Sequence, residues 1–402
     1  MRLLLLTTSY PSSDYPASGI YIKRMLSELP KKVQVTVLTP ACDRSVDGPA
    51  VAQGIRVRPI RYAPQSLQIL SHRPGGIPAV LREQPWAWVL VPFFFISFLM
   101  AAIRHARRAD LIHAHWSFAG LIGGIAGRWI GVPVVTSLHG SDVRLAAKNR
   151  MFRRLIQWAS CLNERIVCVG NDLADRVRPW MAAGCRDILV IPNGVEMTFG
   201  KAGKTTGAPF VVTVIGNLIA LKQVDVVIRA FASLPKTVGR PQLLIVGAGP
   251  EMARLQSLAN ERGINDRVRF TGQVPPEQVA DYLAKSDLLI LASTGEGRPS
   301  VVSEAMAAGV PVVASDIEGV REMIADGVRG LLFPVGDVAR LAACMQRIMD
   351  DPTLGRRLAV NAAQWLRAEQ LTWEHCAGRY TETYEQVLAE FCQRTGRSPF
   401  VA

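Results

Sequence analysis

The sequence predicts an α/β protein of two successive domains, each built on a doubly wound parallel sheet. Three observations support this prediction. The chain has 402 residues, about twice the size of an ordinary domain. Short apolar runs alternate with stretches of helical pattern, as is typical of parallel sheets. A polar, glycine-rich stretch at 196–209 interrupts this alternation, which then begins again.

The first domain, 1–195, contains six candidate strands. Each is a mostly apolar run bounded by turn residues, the composition of a strand that helices cover on both faces. The runs are RLLLLT (2–7), VQVTVLTP (33–40), DLIHAH (110–115), VPVVTSLHG (132–140), RIVCVG (165–170) and ILVIPNG (188–194).

The second domain, 210–370, repeats the pattern. Its runs are FVVTVIGNL (210–218), QLLIVGAG (242–249), VRFTGQV (268–274), DLLILAS (287–293), PVVASD (311–316) and GLLFPV (330–335). Ligands of open parallel sheets bind outside the carboxyl ends of the strands, so we expect the active site in a cleft between the two domains.

Composition narrows the range of partners. The net charge of +13 favours anionic partners such as phosphates, nucleic acid or an acidic membrane surface. A nucleic-acid binder is disfavoured, because the basic residues form no single concentrated run with interleaved aromatic residues. The seven cysteines include no CxxC pair, which predicts reduced thiols and a cytoplasmic protein.

The segment Pro85–Ile103 is apolar over 19 residues and is followed by RHARR. Three interpretations are open: a helix that crosses a bilayer with basic residues on the cytoplasmic side, a helix of a soluble domain, or a helix that dips into the membrane interface. Pro92 and the strand-like sequence on both sides argue against a single crossing.

The stretch EGRPSVVSEAMAAG, Glu296–Gly309, follows a predicted strand directly. Pro299 and Ser300 suit the first turn of a helix, whose free amides are ready donors for a phosphate or a sugar hydroxyl. Glu296 precedes that turn and Glu304 lies about one turn inside the helix. Both carboxylates could face one ligand, although a loop Glu and a helix-surface Glu in solvent fit the spacing as well.

These two glutamates, with seven residues between them, resemble the E-x7-E motif of the retaining GT-B glycosyltransferases of family 4. Further segments resemble that family in the same order along nearly the whole chain: DLIHAHWSFAGLIG, HGSD, VIPNGVE, VIGNLIALKQVDVVIRAF, LLIVGAGPE, VRFTGQVPPEQVADYLAKSDLLILAS and GLLFPVGDVARLA. The resemblance implies a GT-B fold of two Rossmann-like domains, with the C-terminal helix, 371–402, crossing back onto the first domain.

The resemblance also implies roles for single residues. Glu296 would contact the hydroxyls of the donor sugar, Glu304 the ribose and Lys222 the diphosphate, while His139 would contact the transferred sugar. We therefore predict His139, Glu296 and Lys222 as catalytic residues. The predicted donor-binding residues are Gly19, Gly216, Asn217, Lys222, Val274, Glu296, Gly297, Arg298, Pro299, Ser300, Val301 and Glu304.

Several positions leave alternatives open. Asn217 stands where the family usually has an arginine that shares the diphosphate, and it brings no charge; Arg298 is a candidate substitute. Asp142 is as plausibly a helix N-cap or a loop anchor as an acceptor contact. His113 and His115 alternate along one strand, which suits structural roles and is also compatible with a metal pair.

The resemblance implies a retaining hexosyltransferase that uses a nucleotide diphosphate sugar as co-substrate, with the leaving phosphate acting as base. The chain has no D-x-D triplet, so we expect neither a metal nor another cofactor. The apolar segment and the basic charge predict a polyprenyl-linked saccharide acceptor, surface polysaccharide or lipopolysaccharide synthesis, and a peripheral position on the inner face of the plasma membrane. The alternatives are a soluble transferase for a small acceptor and a catalytically silent nucleotide-sugar binding protein.

Overall fold

The computed structural model describes residues 1–12, 15–42, 54–72, 76–182, 185, 188–197, 209–235 and 241–396. The chain divides into two compact units. The first contains the residues up to Gly194 and the C-terminal segment that begins at Trp373, and the second is Val195–Thr372. Most of the predicted linker, 198–208, lies outside the described residues.

The first unit contains a seven-stranded sheet in the order β3-β2-β1-β4-β5-β6-β7. All neighbouring strands in it are parallel. The strands are β1 (Arg2–Leu6), β2 (Gln34–Pro40), β3 (Ile55–Ile60), β4 (Leu111–His115), β5 (Val134–Leu138), β6 (Arg165–Cys168) and β7 (Leu189–Val190).

Helices cover both faces of this sheet. They are α1 (Ile20–Ser27), α2 (Gly76–Glu83), α3 (Leu90–Ala106), α4 (Ser117–Ile130), α5 (Ser141–Lys148), α6 (Arg150–Leu162), α7 (Asn171–Val177) and, after the second unit, α15 (Trp373–Thr395). Leu3 and Leu5 of β1 pack in one core with α1 and α15. Leu4 and Leu6 point to the opposite face and pack with α3 and α4.

The second unit contains a six-stranded parallel sheet in the order β10-β9-β8-β11-β12-β13. The strands are β8 (Val211–Ile215), β9 (Gln242–Val246), β10 (Val268–Gly272), β11 (Leu288–Leu291), β12 (Val312–Ser315) and β13 (Leu331–Phe333). The helices are α8 (Val224–Ala232), α9 (Met252–Glu261), α10 (Val279–Ala284), α11 (Ser300–Ala307), α12 (Glu318–Arg321), α13 (Val338–Asp350) and α14 (Pro352–Ala368). Apolar cores lie on both faces of the sheet.

The two parallel sheets with helices on both faces confirm the predicted α/β class. Strand β3 was not predicted. Its sequence, IRVRPI, lies at the edge of the sheet and has exposed Arg56, Arg58 and Pro59. An edge strand tolerates charge and proline because one of its sides faces solvent.

The apolar segment forms a short 3-10 helix, Pro85–Val89, that runs into α3. Pro85–Ala106, with 22 residues, is the one helix in the described ranges that is long and apolar enough to cross a membrane. Its residues Leu90, Phe94 and Phe98 are buried against the first sheet and α4. This packing favours a surface helix of the folded unit over a bilayer-crossing segment.

Candidate active site

Lys222 and Glu296 form an ion pair in the second unit. The Lys222 Nζ atom lies 2.5 Å from Glu296 Oε1, which also accepts a hydrogen bond of 2.7 Å from Ser293 Oγ. Lys222 ends a 3-10 turn after β8, and Glu296 lies in the loop after β11. The backbone N–H of Thr294 donates to Leu221 O at 2.9 Å and so ties the two loops together. A cation and a carboxylate thus share one place at the carboxyl ends of two neighbouring strands.

The other predicted residues of the motif follow in order. Gly297 and Pro299 complete the loop, and Ser300, Val301 and Glu304 lie on α11. The first turn of α11 presents backbone amides that have no partner within the helix. Glu304 is half-buried on the second turn. The sequence therefore placed this helix entrance correctly, while the ligand contacts stay predictions.

The loops after β8, β9 and β10 are joined through their backbones. Gly216 donates its N–H to Val246 O at 2.9 Å, and Gly247 donates its N–H to Gly272 O at 3.0 Å. A Cβ atom on Gly247 would lie 2.0 Å from the Gly216 carbonyl oxygen, a distance that only glycine permits. Asn217 is exposed beside this contact, and Val274 is half-buried after β10.

Gly319 of α12 supports the Glu296 loop and was missed in the sequence. A Cβ atom there would lie 2.3 Å from the Gly297 carbonyl oxygen and 2.5 Å from that of Glu296. The first turn of α12 therefore touches the backbone that carries the catalytic candidate. The available signal was a glycine shortly after the predicted strand 311–316.

Arg298 points into the packed part of the second unit. Its side chain is 7% exposed, and Nη1 lies 3.5 Å from Glu322 Oε2. The guanidinium carbon lies 5.8 Å from the centroid of the Trp365 ring, which Arg329 also contacts. Burial lowers the pKa of Arg298, and the carboxylates of Glu322 and Glu369 oppose this shift. These contacts favour a packing role, and the donor-binding role stays a prediction.

We expect Arg298→Met to keep the donor KM within about threefold, because methionine retains the contact with Trp365 and removes only the charge. Arg298→Ala should lower the free energy of unfolding by about 3 kcal/mol, because it also removes the side-chain volume that packs on Trp365 and leaves a cavity. Donor kinetics and urea denaturation measure the two effects. A tenfold rise of KM in the methionine variant would assign the Arg298 charge to the diphosphate.

In the first unit, His139 follows β5 and is enclosed by aromatic rings. The Tyr21 ring centroid lies 4.7 Å from that of His139, and the Trp116 centroid 5.3 Å. Its Nε2 atom shares a hydrogen bond of 2.8 Å with Nδ1 of His115. Gly19 precedes α1 with φ of 62°, and a Cβ there would lie 2.2 Å from Ser9 O. Only glycine fits this turn without strain.

His113 belongs to a buried network that fixes the C-terminal helix on the sheet. His113 Nδ1 pairs with Tyr384 Oη at 2.7 Å, and His113 Nε2 pairs with Ser137 Oγ at 2.8 Å. Ser137 Oγ in turn lies 2.9 Å from Tyr380 Oη. Both ring nitrogens of His113 are thus engaged structurally. Across the described ranges, no group of three or more His, Cys, Asp or Glu could hold a metal ion.

Asp142 is buried on the first turn of α5 and anchors the start of α4 to it. Its carboxylate accepts hydrogen bonds from the backbone N–H of Ser117 at 3.2 Å and of Val143 at 3.0 Å. Burial raises the pKa of Asp142 to about 6, although these backbone donors oppose the shift. The structure shows the loop-anchor alternative, and an acceptor contact stays a prediction.

The three histidines make the first unit sensitive to acid. Burial lowers the pKa values of His113 and His139 to about 3. The pKa of His115 falls well below its usual value through burial, and through His113 and His139 nearby. In the unfolded chain all three would titrate near pH 6.5. Below that pH the unfolded state therefore binds up to three more protons.

We expect the stability of the protein to be fully present above about pH 6.5 and to be lost as the pH falls. Between about pH 6 and pH 4 the effect of Asp142 on stability opposes that of the histidines, because in this range its carboxyl group is protonated in the folded state and ionised in the unfolded state. The net of two protons gives a slope of about 3 kcal/mol per pH unit near pH 5. Urea denaturation across this range measures the slope. Equal stability at pH 4 and pH 6 would contradict the lowered pKa values of the histidines. His115→Gln should remove one of the protons and so lower the slope by about 1.4 kcal/mol per pH unit.

Comparison with solved structures defines the fold. Sucrose-phosphate synthase from Thermosynechococcus elongatus is similar with a TM-score of 0.81 and 22% identity, over 97% of this chain and 100% of that chain. HepE of Anabaena, solved in complex with UDP, gives a TM-score of 0.74 and 20% identity, over 96% of this chain and 100% of that chain. The fold is therefore GT-B, as predicted.

Sequence comparison then gives the family. Residues 18–199 match the family "Glycosyltransferase Family 4", and residues 198–365 match "Glycosyl transferases group 1". A D-inositol 3-phosphate glycosyltransferase of Rhodococcus erythropolis is 29% identical over 97% of this chain and 90% of its own length. Fold and motif together define a GT-B glycosyltransferase. The chain belongs to the family 4 glycosyltransferases.

Proposed function

We propose that the chain transfers a hexose, with retention of configuration, from a uridine diphosphate sugar to a saccharide acceptor. The ion pair of Lys222 and Glu296 beside Gly216 carries this proposal. It combines an ammonium with a carboxylate that can accept hydrogen bonds from sugar hydroxyls, after β8 and β11 and just before α11. HepE, of the same fold, has been solved with UDP and with UDP-glucose, which supports the choice of uridine.

Each proposed role follows from the chemistry of the residue. Lys222 stabilises the negative charge that develops on the leaving diphosphate. Glu296 accepts hydrogen bonds from the hydroxyls of the sugar, and Glu304 accepts them from the ribose. His139 contacts the transferred sugar. Since an ammonium and helix amides neutralise the diphosphate in this scheme, we propose that transfer requires no metal.

We further propose that the acceptor is a polyprenyl-linked saccharide, in surface polysaccharide or lipopolysaccharide assembly. The protein would then act in the cytoplasm, bound peripherally to the inner face of the plasma membrane. Pro85–Ala106 supports this proposal, because it keeps an apolar side in solvent although its other side is buried. The net charge of +13 favours an anionic surface.

A second candidate is transfer to a small anionic acceptor. The relative of Rhodococcus erythropolis, 29% identical over 97% of this chain, is named for inositol 3-phosphate. A soluble enzyme for an inositol phosphate or a sugar phosphate would need the same donor site. The exposed apolar side of α3 would then have no role in the reaction.

Radiolabelled UDP-hexose and two acceptor pools distinguish the candidates. One pool is a polyprenyl-linked saccharide extract, and the other contains inositol phosphate and sugar phosphates. We expect label in the butanol-soluble lipid fraction and little in the small-acceptor pool. Label only in small phosphorylated products would support the second candidate, and no transfer to either pool, despite donor binding, would indicate a silent binding protein.

A further inference from the structure

The side of α3 that faces solvent is as apolar as the side that is buried. Its exposed large residues, together with the preceding 3-10 helix, are each at least 51% exposed: Trp86, Trp88, Val89, Phe93, Ile96 and Met100. Val89, Phe93, Ile96 and Met100 follow the spacing of one helical face. Arg104 and Arg107 are exposed at the next turns of that face. The stripe thus begins with aromatic residues and ends with arginines.

Two neighbouring helices present similar residues. Helix α3 packs against α4, and α4 packs against α6, on the same face of the sheet. Trp129, at the end of α4, is 75% exposed, more than any other large apolar residue in the described ranges. Met151 and Trp158, seven residues apart on α6, are also exposed.

Basic residues predominate around these exposed residues, with Glu83 as an exposed acidic neighbour. The segment 143–163 contains five basic residues and no Asp or Glu. Lys148, Arg150 and Arg154 in it are exposed, and Arg154 shares a helical face with Met151 and Trp158. The segment 84–109 likewise has no acidic residue. Basic and aromatic residues are thus interleaved over three adjacent helices, a pattern that the sequence alone did not reveal.

We propose that this aromatic-basic face, the outer side of α3, α4 and α6, docks on an anionic phospholipid bilayer with the three helices parallel to its surface. Aromatic rings are favoured at the level of the lipid headgroups, and each arginine near an anionic surface adds to binding. The contact through α6 lies outside Pro85–Ala106, the segment that supports the proposed localisation.

Charge decides between the possible occupants of this face. A second copy in a twofold dimer would bring two sets of arginines against each other, which is unfavourable. Nucleic acid would pair with the arginines but leave the apolar stripe of α3 in water. An anionic bilayer satisfies both features, because it offers negative headgroups above an apolar interior.

The docking also orients the first unit. Crossover helices of a parallel sheet begin at the carboxyl edge of the strands. The aromatic start of α3 therefore lies towards the edge where Gly19 and His139 follow their strands. If the proposed function holds, a lipid-linked acceptor in the same bilayer would approach the first unit at the edge where His139 and Asp142 lie.

Flotation of the full chain with phosphatidylcholine vesicles, with and without phosphatidylglycerol, tests the inference. The α6 variant Arg150→Gln/Arg154→Gln/Trp158→Ser should lower partition into anionic vesicles by about tenfold or more. The matched control Arg356→Gln/Arg357→Gln/Val360→Ser removes the same charge and an exposed apolar residue from α14. It should change partition by less than about twofold.

A second measurement uses conservative variants that are expected to fold. Brominated lipids should quench the tryptophan fluorescence of the wild type, and Trp129→Phe and Trp158→Phe should each reduce the quenched amplitude. Unchanged partition of the α6 variant with unchanged quenching in both phenylalanine variants would overturn the inference. The inference would also be overturned if the chain formed a dimer that the variant Phe93→Ser/Met100→Ser dissociates. Binding of RNA without any binding of vesicles would overturn it as well.

The outcome is separable from that of the proposed function. Vesicle binding needs no donor sugar. A chain that floats with anionic vesicles but transfers no sugar would therefore support the docking face and contradict the proposed function. A chain that transfers sugar to the polyprenyl-linked acceptor in detergent but never floats with vesicles would support the proposed function and contradict the docking face.

Discussion

Replacing Lys222 by alanine is expected to lower kcat/KM for the donor sugar by about a hundredfold to a thousandfold. The Lys222 ammonium is held at 2.5 Å from Glu296 and next to Gly216, where no Cβ blocks the approach of a phosphate. Asn217, after Gly216, brings no charge, so Lys222 carries the electrostatic stabilisation proposed for the leaving diphosphate. Steady-state kinetics with a UDP-hexose measures the loss.

Lys285→Ala is the matched control, because it removes the same charge from an exposed position of the second unit. We expect it to leave kcat/KM within about twofold. A Lys222→Ala variant that remains folded and retains most of its activity would show that another group neutralises the diphosphate. The Arg298→Met variant would then be the first to compare.

Gly319→Ala is expected to lower kcat by about a hundredfold while the protein remains folded. The added Cβ would lie 2.5 Å from the carbonyl oxygen of Glu296 and 2.3 Å from that of Gly297. The loop or α12 must therefore move by a substantial part of an ångström. Relief of this overlap with two backbone oxygens costs stability, and displacement of the Glu296 carboxylate from the sugar adds a loss of rate. Single-turnover transfer and a thermal melt separate the two.

The control for this variant is Gly327→Ala, also in the second unit. Gly327 has φ of 70°, and no atom lies within 4 Å of an added Cβ. The substitution should cost about 1–2 kcal/mol of stability through backbone strain and leave kcat unchanged. If Gly319→Ala behaves like Gly327→Ala, the Glu296 loop is not positioned by α12.

The fold was predictable because buried parallel strands leave a strong signal in the sequence. Runs such as RLLLLT and DLLILAS are near-continuously apolar, since helices cover both of their faces. Strand β3 lacks this signal, because at the sheet edge Arg56 and Arg58 reach solvent. The segment Pro85–Ile103 was ambiguous for a related reason: its composition does not reveal that one side packs in a core and the other faces solvent.

The pairing of residues in the candidate site was predictable where they belong to the motifs of the family. Lys222 and Glu296 are 74 residues apart, and the family resemblance placed them together. The support given by Gly319 was not predictable, because its contacts are to backbone oxygens that carry no sequence signal. The packing of Arg298 on Trp365 depends on a long-range contact, and a single sequence does not show which way a side chain points.

The anomeric configuration of the product tests the central claim most directly. Proton NMR of a reaction with a UDP-α-hexose and the accepted saccharide reports the coupling constant of the new anomeric proton. We predict an α-linked product that forms with the wild type and is nearly absent with Lys222→Ala. A β-linked product, or equal product with both proteins, would contradict a retaining transferase whose donor site is built on Lys222 and Glu296.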